Sequence, residues 1–287
     1  MAGVSRKSEP SQIRPNFRTR LIHARESLVD RVAGVRPSQA INAELPESTM
    51  SAPDNLANRL KQSLDELKLS AMNETGSKVD YGALRDSPAY ASYREESLAL
   101  LRQYKPDNLP TLTARRAVWI NLYNALVMDA VITFGIQHSV TEGRLGLLFF
   151  FRRAAYIVDG RRVSLEDIEH GILRANRGNP YIPGAHFPSD DSRLAWSLPL
   201  DPRLHFALNC GGRSCPPIRS YSAGKLDDQL ELAAYSFIAS SIEIQPEKNQ
   251  LSLSRIFQWY QKDFGGPDGV LDLIIRYLPD GERRQYL

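Results

Sequence analysis

The sequence predicts a mainly helical α+β fold, a single globular domain over residues 54–287 with a small antiparallel sheet, preceded by a basic tail over residues 1–53. Three observations predict it. Leu56, Leu60, Leu64 and Leu67 fall on one helical stripe. The run from Thr113 to Phe134 is nearly apolar all round (Val118, Trp119, Ile120, Leu122, Leu126, Val127, Met128, Val131, Ile132), as a buried helix must be. Asp159-Gly160 joins Ala155–Val158 to Arg161–Ser164, a strong short-range hairpin signal.

The elements follow in chain order. Residues 1–53 contain Pro10, Pro15, Pro37, Pro46 and Pro53 and no sustained periodicity, so they read as mostly disordered, with a transient helix around Arg20–Val32. Asp54 is expected to cap the leucine-striped helix, which at two heptads is too short for a coiled coil. A helix from about Pro88 to Tyr104 ends before Pro106, and Gly135 ends the apolar helix. Ser164 and Asp167 have the spacing of a capping box, opening a helix with Leu165, Ile168 and Ile172 on one face. Residues 177–200 read as a long loop, and Leu204–Asn209 as a short strand broken by Gly211-Gly212. Leu226, Leu230, Ala233 and Phe237 mark another amphipathic helix. Ile242/Ile244 and Leu251/Leu253 alternate about a polar turn and predict a second hairpin. Two helices near Arg255–Phe264 and Pro267–Leu278 complete the chain.

Composition excludes several classes. The net charge of +3 makes the whole chain no polyanion magnet. The charge is uneven, however: residues 1–36 hold eight Lys or Arg against Glu9, Glu26 and Asp30, a surplus of five that leaves −2 for the remainder. This Arg-rich start also fits an organellar presequence, but a plain tail and a cytoplasmic location are the default expectation. Two cysteines are too few for a disulfide framework, and the apolar stretch at Leu147–Phe151 is too short to span a bilayer. No phosphate-binding glycine loop, cofactor motif or specific nucleic-acid motif is present.

The residues with chemical potential cluster between His205 and Pro217. Gly211, Gly212 and Ser214 lie between Cys210 and Cys215, where backbone N–H groups could line an oxyanion concavity. Pro216 and Pro217 place Cys215 at a cap-like position that favours its thiolate. The competing reading is two small buried hydrophobes. Among five histidines, His170 lies off the apolar face of its helix, between Glu166 and Arg174; His205 precedes the cysteines; His186 sits in the long loop. Asn121 and Asn124 stand one turn apart on the most apolar helix, as a clamp on a neighbouring loop or as a substrate-binding pair. A zinc site of two Cys and two His has poor spacing, so no metal is expected.

Three motifs carry a family resemblance. They are Arg116-Ala-Val-Trp-Ile-Asn-Leu-Tyr-Asn-Ala125, Val163-Ser-Leu-Glu-Asp-Ile-Glu-His-Gly-Ile-Leu-Arg174, and Asp201-Pro-Arg-Leu-His-Phe-Ala-Leu-Asn-Cys210 continuing to Ser214-Cys-Pro-Pro217. In this order they resemble the domain of unknown function family numbered 547, bacterial branch, over about residues 80–265. The resemblance implies a relation to papain-like or transglutaminase-like thiol enzymes. Because His170 precedes both cysteines, that arrangement requires circular permutation.

Three functions follow as expectations. The first is a thiol-dependent hydrolase or acyl transferase acting on a peptide, acyl or small-molecule substrate. Cys215 would be the nucleophile, with Cys210 as second choice. His170 would be the base, or else His205, with Glu169 or Asn124 orienting it. Asn121, Asn124, Arg174, Gly211, Gly212 and Ser214 would line the substrate site. The second is a non-catalytic scaffold whose helix at 56–67 meets a protein partner. The third is a redox role in which Cys210 and Cys215 form a reversible disulfide.

Overall fold

The capping residues mark where the helices begin. Asn16 accepts the Thr19 N–H at 2.9 Å and opens α1 (Phe17–Val32). In the computed structural model, which describes residues 16–45, 56–73, 78–140, 146–212, 215–248, 250–279 and 281, α2 (Leu56–Ala71), α3 (Tyr81–Arg85), α4 (Pro88–Ser92) and α5 (Leu98–Leu101) follow. Asp80, Ser87 and Thr111 cap α3, α4 and α6 (Leu112–Thr133). Then come α7 (Gly146–Arg153), the antiparallel pair β1 (Ala155–Val158) and β2 (Arg161–Ser164), and a π-helical stretch over Asp167–Leu173. After a long irregular passage, α8 (Leu226–Ser241), β3 (Glu243–Gln245), β4 (Gln250–Ser252), α9 (Arg255–Trp259) and α10 (Pro267–Tyr277) end the fold. The molecule is mainly helical, with two small antiparallel sheets.

The apolar helix forms the axis. Every residue of α6 from Arg116 to Ile132 is buried, and α2 packs along it through Leu56, Leu60, Leu64 and Leu67, none more than 2% exposed. The leucine stripe is therefore core and no partner surface, because α6 offers it a continuous apolar face. A second core of Phe206, Phe237, Phe257, Phe264 and Ile274 joins α8, α9 and α10. The hairpin turns at Asp159 (φ +46°) and Gly160 (φ +70°), with Ala155 opposite Ser164. β3 and β4 pair Ile244 with Leu251.

Three expectations differ from what is found. Leu204–Asn209 is no strand: Asp201 accepts the Arg203 N–H at 3.1 Å, Pro202 occupies the first turn, and Pro202–Phe206 winds into a 3₁₀ helix. The Pro88–Tyr104 helix is interrupted by a π-helical turn at Tyr93–Ser97, where the Tyr93 hydroxyl meets that of Tyr156 at 3.0 Å. Residues 16–45, read as tail, are structured. The Asn42 side chain is completely buried, accepts the Ile157 N–H at 2.7 Å and donates to the Leu98 and Ile157 carbonyls. Local propensity was a poor guide there because docking on β1 and α7 supplies the order. Asp54 and Ser214 lie outside the described residues.

Candidate functional site: a clamped cysteine loop and a buried histidine centre

The two amides of α6 hold the loop that carries the cysteines. Asn121 accepts the Tyr221 N–H and donates to the Tyr221 carbonyl, both at 2.8 Å. Asn124 accepts the Asn209 N–H at 3.0 Å and donates to the carbonyls of Ala207 (3.1 Å) and Arg219 (3.3 Å). Asn209 extends the clamp: it accepts the Gly211 N–H at 2.8 Å and donates to the Pro216 carbonyl at 2.6 Å. Both flanks of the loop are thus fixed to the core helix by side-chain amides. Asn209 was missed by sequence reasoning, although its place just before Cys210 on a turn was a signal.

Inside this frame Cys210 and Cys215 are joined as a disulfide, their Cα atoms 6.0 Å apart. Both are half-buried, and Cys210 packs against the main core. Gly211 adopts φ +77°, and at Gly212 a Cβ would stand 3.3 Å from the Cys215 sulfur and 3.9 Å from that of Cys210. The two glycines are there to turn the chain and to leave room for the sulfurs. The Gly211 N–H is spent on Asn209 and the Cys215 N–H on the Gly212 carbonyl at 3.1 Å, so neither faces an open concavity.

The other candidates assemble elsewhere. The Ser164–Asp167 box forms as expected, with the Asp167 N–H donating to Ser164 Oγ at 3.1 Å. It starts the π-helical stretch, a rare geometry that recurs at functional sites. From this stretch project Asp167, Glu169 and His170, all buried. Glu169 accepts the hydroxyls of Tyr123 (2.9 Å) and Tyr260. His170 Nδ1 accepts from Arg174 at 2.9 Å, and Arg174 also pairs with Asp263 at 2.5 Å. His205 Nε2 meets the same carboxylate at 2.9 Å while its ring stacks on Tyr260, centroids 3.8 Å apart. His186 Nε2 meets Asp167 at 2.8 Å. Tyr260 and Asp263 carried no sequence signal, being distant in the chain and ordinary in pattern.

Burial and neighbouring charges compete at each titratable group. It depresses the pKa of His170 well below the ordinary value, with Arg174 and His186 adding to the effect, so His170 is a neutral acceptor. Burial lowers that of His205 as well, against the opposing pull of Asp263. Burial raises Glu166, while Asp167 is held far below the carboxylate range: Arg193 and His186 outweigh its own desolvation. Beside them, buried Arg152 gives Nη1 to Glu26 (2.5 Å) and Asp30 (3.0 Å) of α1. Among the described residues, its Nε and Nη2, and Glu166 Oε2 3.7 Å away, have no hydrogen-bond partner.

The structure therefore gathers His170, His205, Glu169 and Arg174 into one centre, and Asn121, Asn124, Cys210, Gly211, Gly212 and Cys215 into another region. No hydrogen bond joins His170 or His205 to a sulfur among the described residues, and no group of three or more His, Cys, Asp and Glu there is arranged to hold a metal ion. No described helix is long and apolar enough to cross a membrane.

This is a mainly helical α+β fold with a cysteine loop clamped to its central helix. Residues 106–238 match the family described as Protein of unknown function, DUF547, and over that segment the chain resembles it. The match takes in α6, the π-helical stretch and the cysteine loop, and leaves out α1, Tyr260 and Asp263. No curated protein and no solved structure matches the chain.

Proposed function

We propose that the domain performs thiol–disulfide exchange through Cys210 and Cys215, cycling between disulfide and dithiol. One observation carries this reading: the only two cysteines of the chain are paired across a five-residue interval on a half-buried loop whose flanks are fixed by Asn124 and Asn209. A loop held in this way keeps both sulfurs near each other after reduction, which favours re-oxidation over reaction with other thiols.

Cys215 is the entry point, because Cys210 packs against the core. In the reducing direction for the partner, the Cys215 thiolate attacks a disulfide of a peptide or small molecule. The partner's first sulfur leaves as a thiolate and takes up a proton. The Cys210 thiolate then attacks Cys215 in the mixed disulfide, releasing the partner's second thiol. Two electrons pass to the partner, and a dithiol reductant restores the domain by the same steps reversed. A cytoplasmic location, which we also propose, makes such a bond transient rather than structural. The hydrolase or acyl-transferase reading needs Cys215 as a free thiolate against a histidine; the pairing with Cys210 and the commitment of His170 to Arg174 favour exchange. We place the exchange unit in a single domain that takes in residues 16–45 together with 54–287.

Single-cysteine variants test the reading. With oxidised glutathione, Cys210→Ser is expected to form a mixed disulfide at Cys215 faster than Cys215→Ser forms one at Cys210, read by intact mass. Failure of both folded variants to form a mixed disulfide would overturn it.

A further inference from the structure

Helix α1 docks through its polar side. A surface helix ordinarily turns its apolar stripe to the core and its charges to water. In α1, Thr19, Ile22, Glu26 and Asp30 face the body. Thr19 Oγ1 meets Ser189 Oγ at 2.7 Å, and Glu26 and Asp30 both pair with Arg152. At roughly 100° per residue, Phe17, Leu21, Ala24, Leu28 and Val32 line the opposite face. Phe17, Leu21, Leu28 and Val32 are 76%, 53%, 59% and 49% exposed, four of the eleven exposed large apolar side chains among the described residues. Their concentration on one helix face sets them apart from scattered surface residues.

The charges around this stripe say what it meets. Arg20 and Arg31 flank one edge and Arg18 the other, all exposed. The two acids of α1 are turned inward on Arg152, so the outer face carries no negative side chain. Residues 1–36 hold the whole positive surplus of the chain. An apolar stripe bordered by arginines is the pattern of a helix lying in a lipid interface, the arginine stems along the apolar boundary and the guanidinium groups at the phosphates.

We propose that α1 seats the domain on an anionic lipid surface, with Phe17, Leu21, Leu28 and Val32 inserted and Arg18, Arg20 and Arg31 on the headgroups. Flotation of the full chain with vesicles tests it, comparing phosphatidylcholine alone with vesicles containing about 30% phosphatidylserine. Binding is expected on the anionic vesicles, weakening as salt rises. Leu21→Glu/Leu28→Glu is expected to reduce it by roughly tenfold or more. Arg20→Gln/Arg31→Gln is expected to weaken it and flatten the salt dependence. Unchanged melting of both variants shows that they remain folded. Absence of binding to anionic vesicles, or binding indifferent to Leu21→Glu/Leu28→Glu, overturns the proposal. So does a dimer by light scattering that Leu28→Glu dissociates, which would assign the stripe to a second copy.

Discussion

Asn121, Asn124 and Gly212 show how single residues set the state of the cysteine loop. Each amide on α6 both donates to and accepts from backbone groups of the segment it holds, so loss of either strands buried donors and acceptors. Asn121→Leu is expected to cost about 1–3 kcal/mol, seen as a lower urea midpoint at unchanged slope; an unchanged midpoint would contradict the clamp. Gly212→Ala brings a methyl to 3.3 Å from the Cys215 sulfur and is expected to disfavour the disulfide relative to the dithiol. Competition of this variant with wild type in one redox buffer measures that preference. His170 carries a pH prediction. Its pKa in the folded protein lies well below the ordinary histidine value of about 6.5, so above pH ~6.5 both states are neutral and its contribution is constant. Below that pH the unfolded chain binds a proton that the folded chain refuses. Stability is then expected to fall by about 1.4 kcal/mol per pH unit for this residue, until the folded pKa is reached. His205, lowered in the same sense, adds to the loss over its own window. Denaturation midpoints from pH 7 to 5 check this, with His170→Gln giving a shallower slope.

At the scale of elements, α1 and the segment after it are the main departure from the sequence reading. Their order comes from long-range contacts that periodicity does not register: Ile41 N–H donates to the Ala155 carbonyl at 2.9 Å, Asn42 fills the space between α5 and β1, and Glu26 and Asp30 neutralise Arg152. A chain beginning at Ser51 is therefore expected to melt many degrees lower than the full chain. Among the described residues it leaves Arg152 paired with Glu166 alone, at 3.7 Å, and breaking a buried pair typically costs about 3–5 kcal/mol. Equal melting temperatures would mean that the segment does not stabilise the domain. Elements whose periodicity and turn chemistry agree were legible: α6, the Asp159-Gly160 hairpin, the Ser164–Asp167 box and the β3–β4 pair. The 3₁₀ turn at Pro202–Phe206 was not, because a short apolar run does not by itself separate strand from turn. There the Asp-Pro start was the stronger signal.

Across the whole molecule, the sequence brought together residues that the fold divides. His170, Glu169, Arg174 and His205 do converge, but around Tyr260 and Asp263, contributed by a part of the chain with no distinguishing pattern. The cysteines lie with Asn124 and Asn209 instead. Sequence spacing gives the face on which a residue stands; which faces meet depends on how the turn between α9 and α10 brings Tyr260 to Glu169 and Asp263 to Arg174, and that information is spread over the apolar core. If Cys210 and Cys215 are a redox couple, as proposed, their disulfide responds to the thiol potential of the medium. The full-length protein is equilibrated in glutathione buffers of graded potential, quenched with an alkylating agent and read by mass. A single two-electron transition between dithiol and Cys210–Cys215 disulfide is expected, with its midpoint between about −180 and −320 mV, where cellular thiol pools operate. Two free thiols throughout the series, or a bond that persists well below that range, would contradict it.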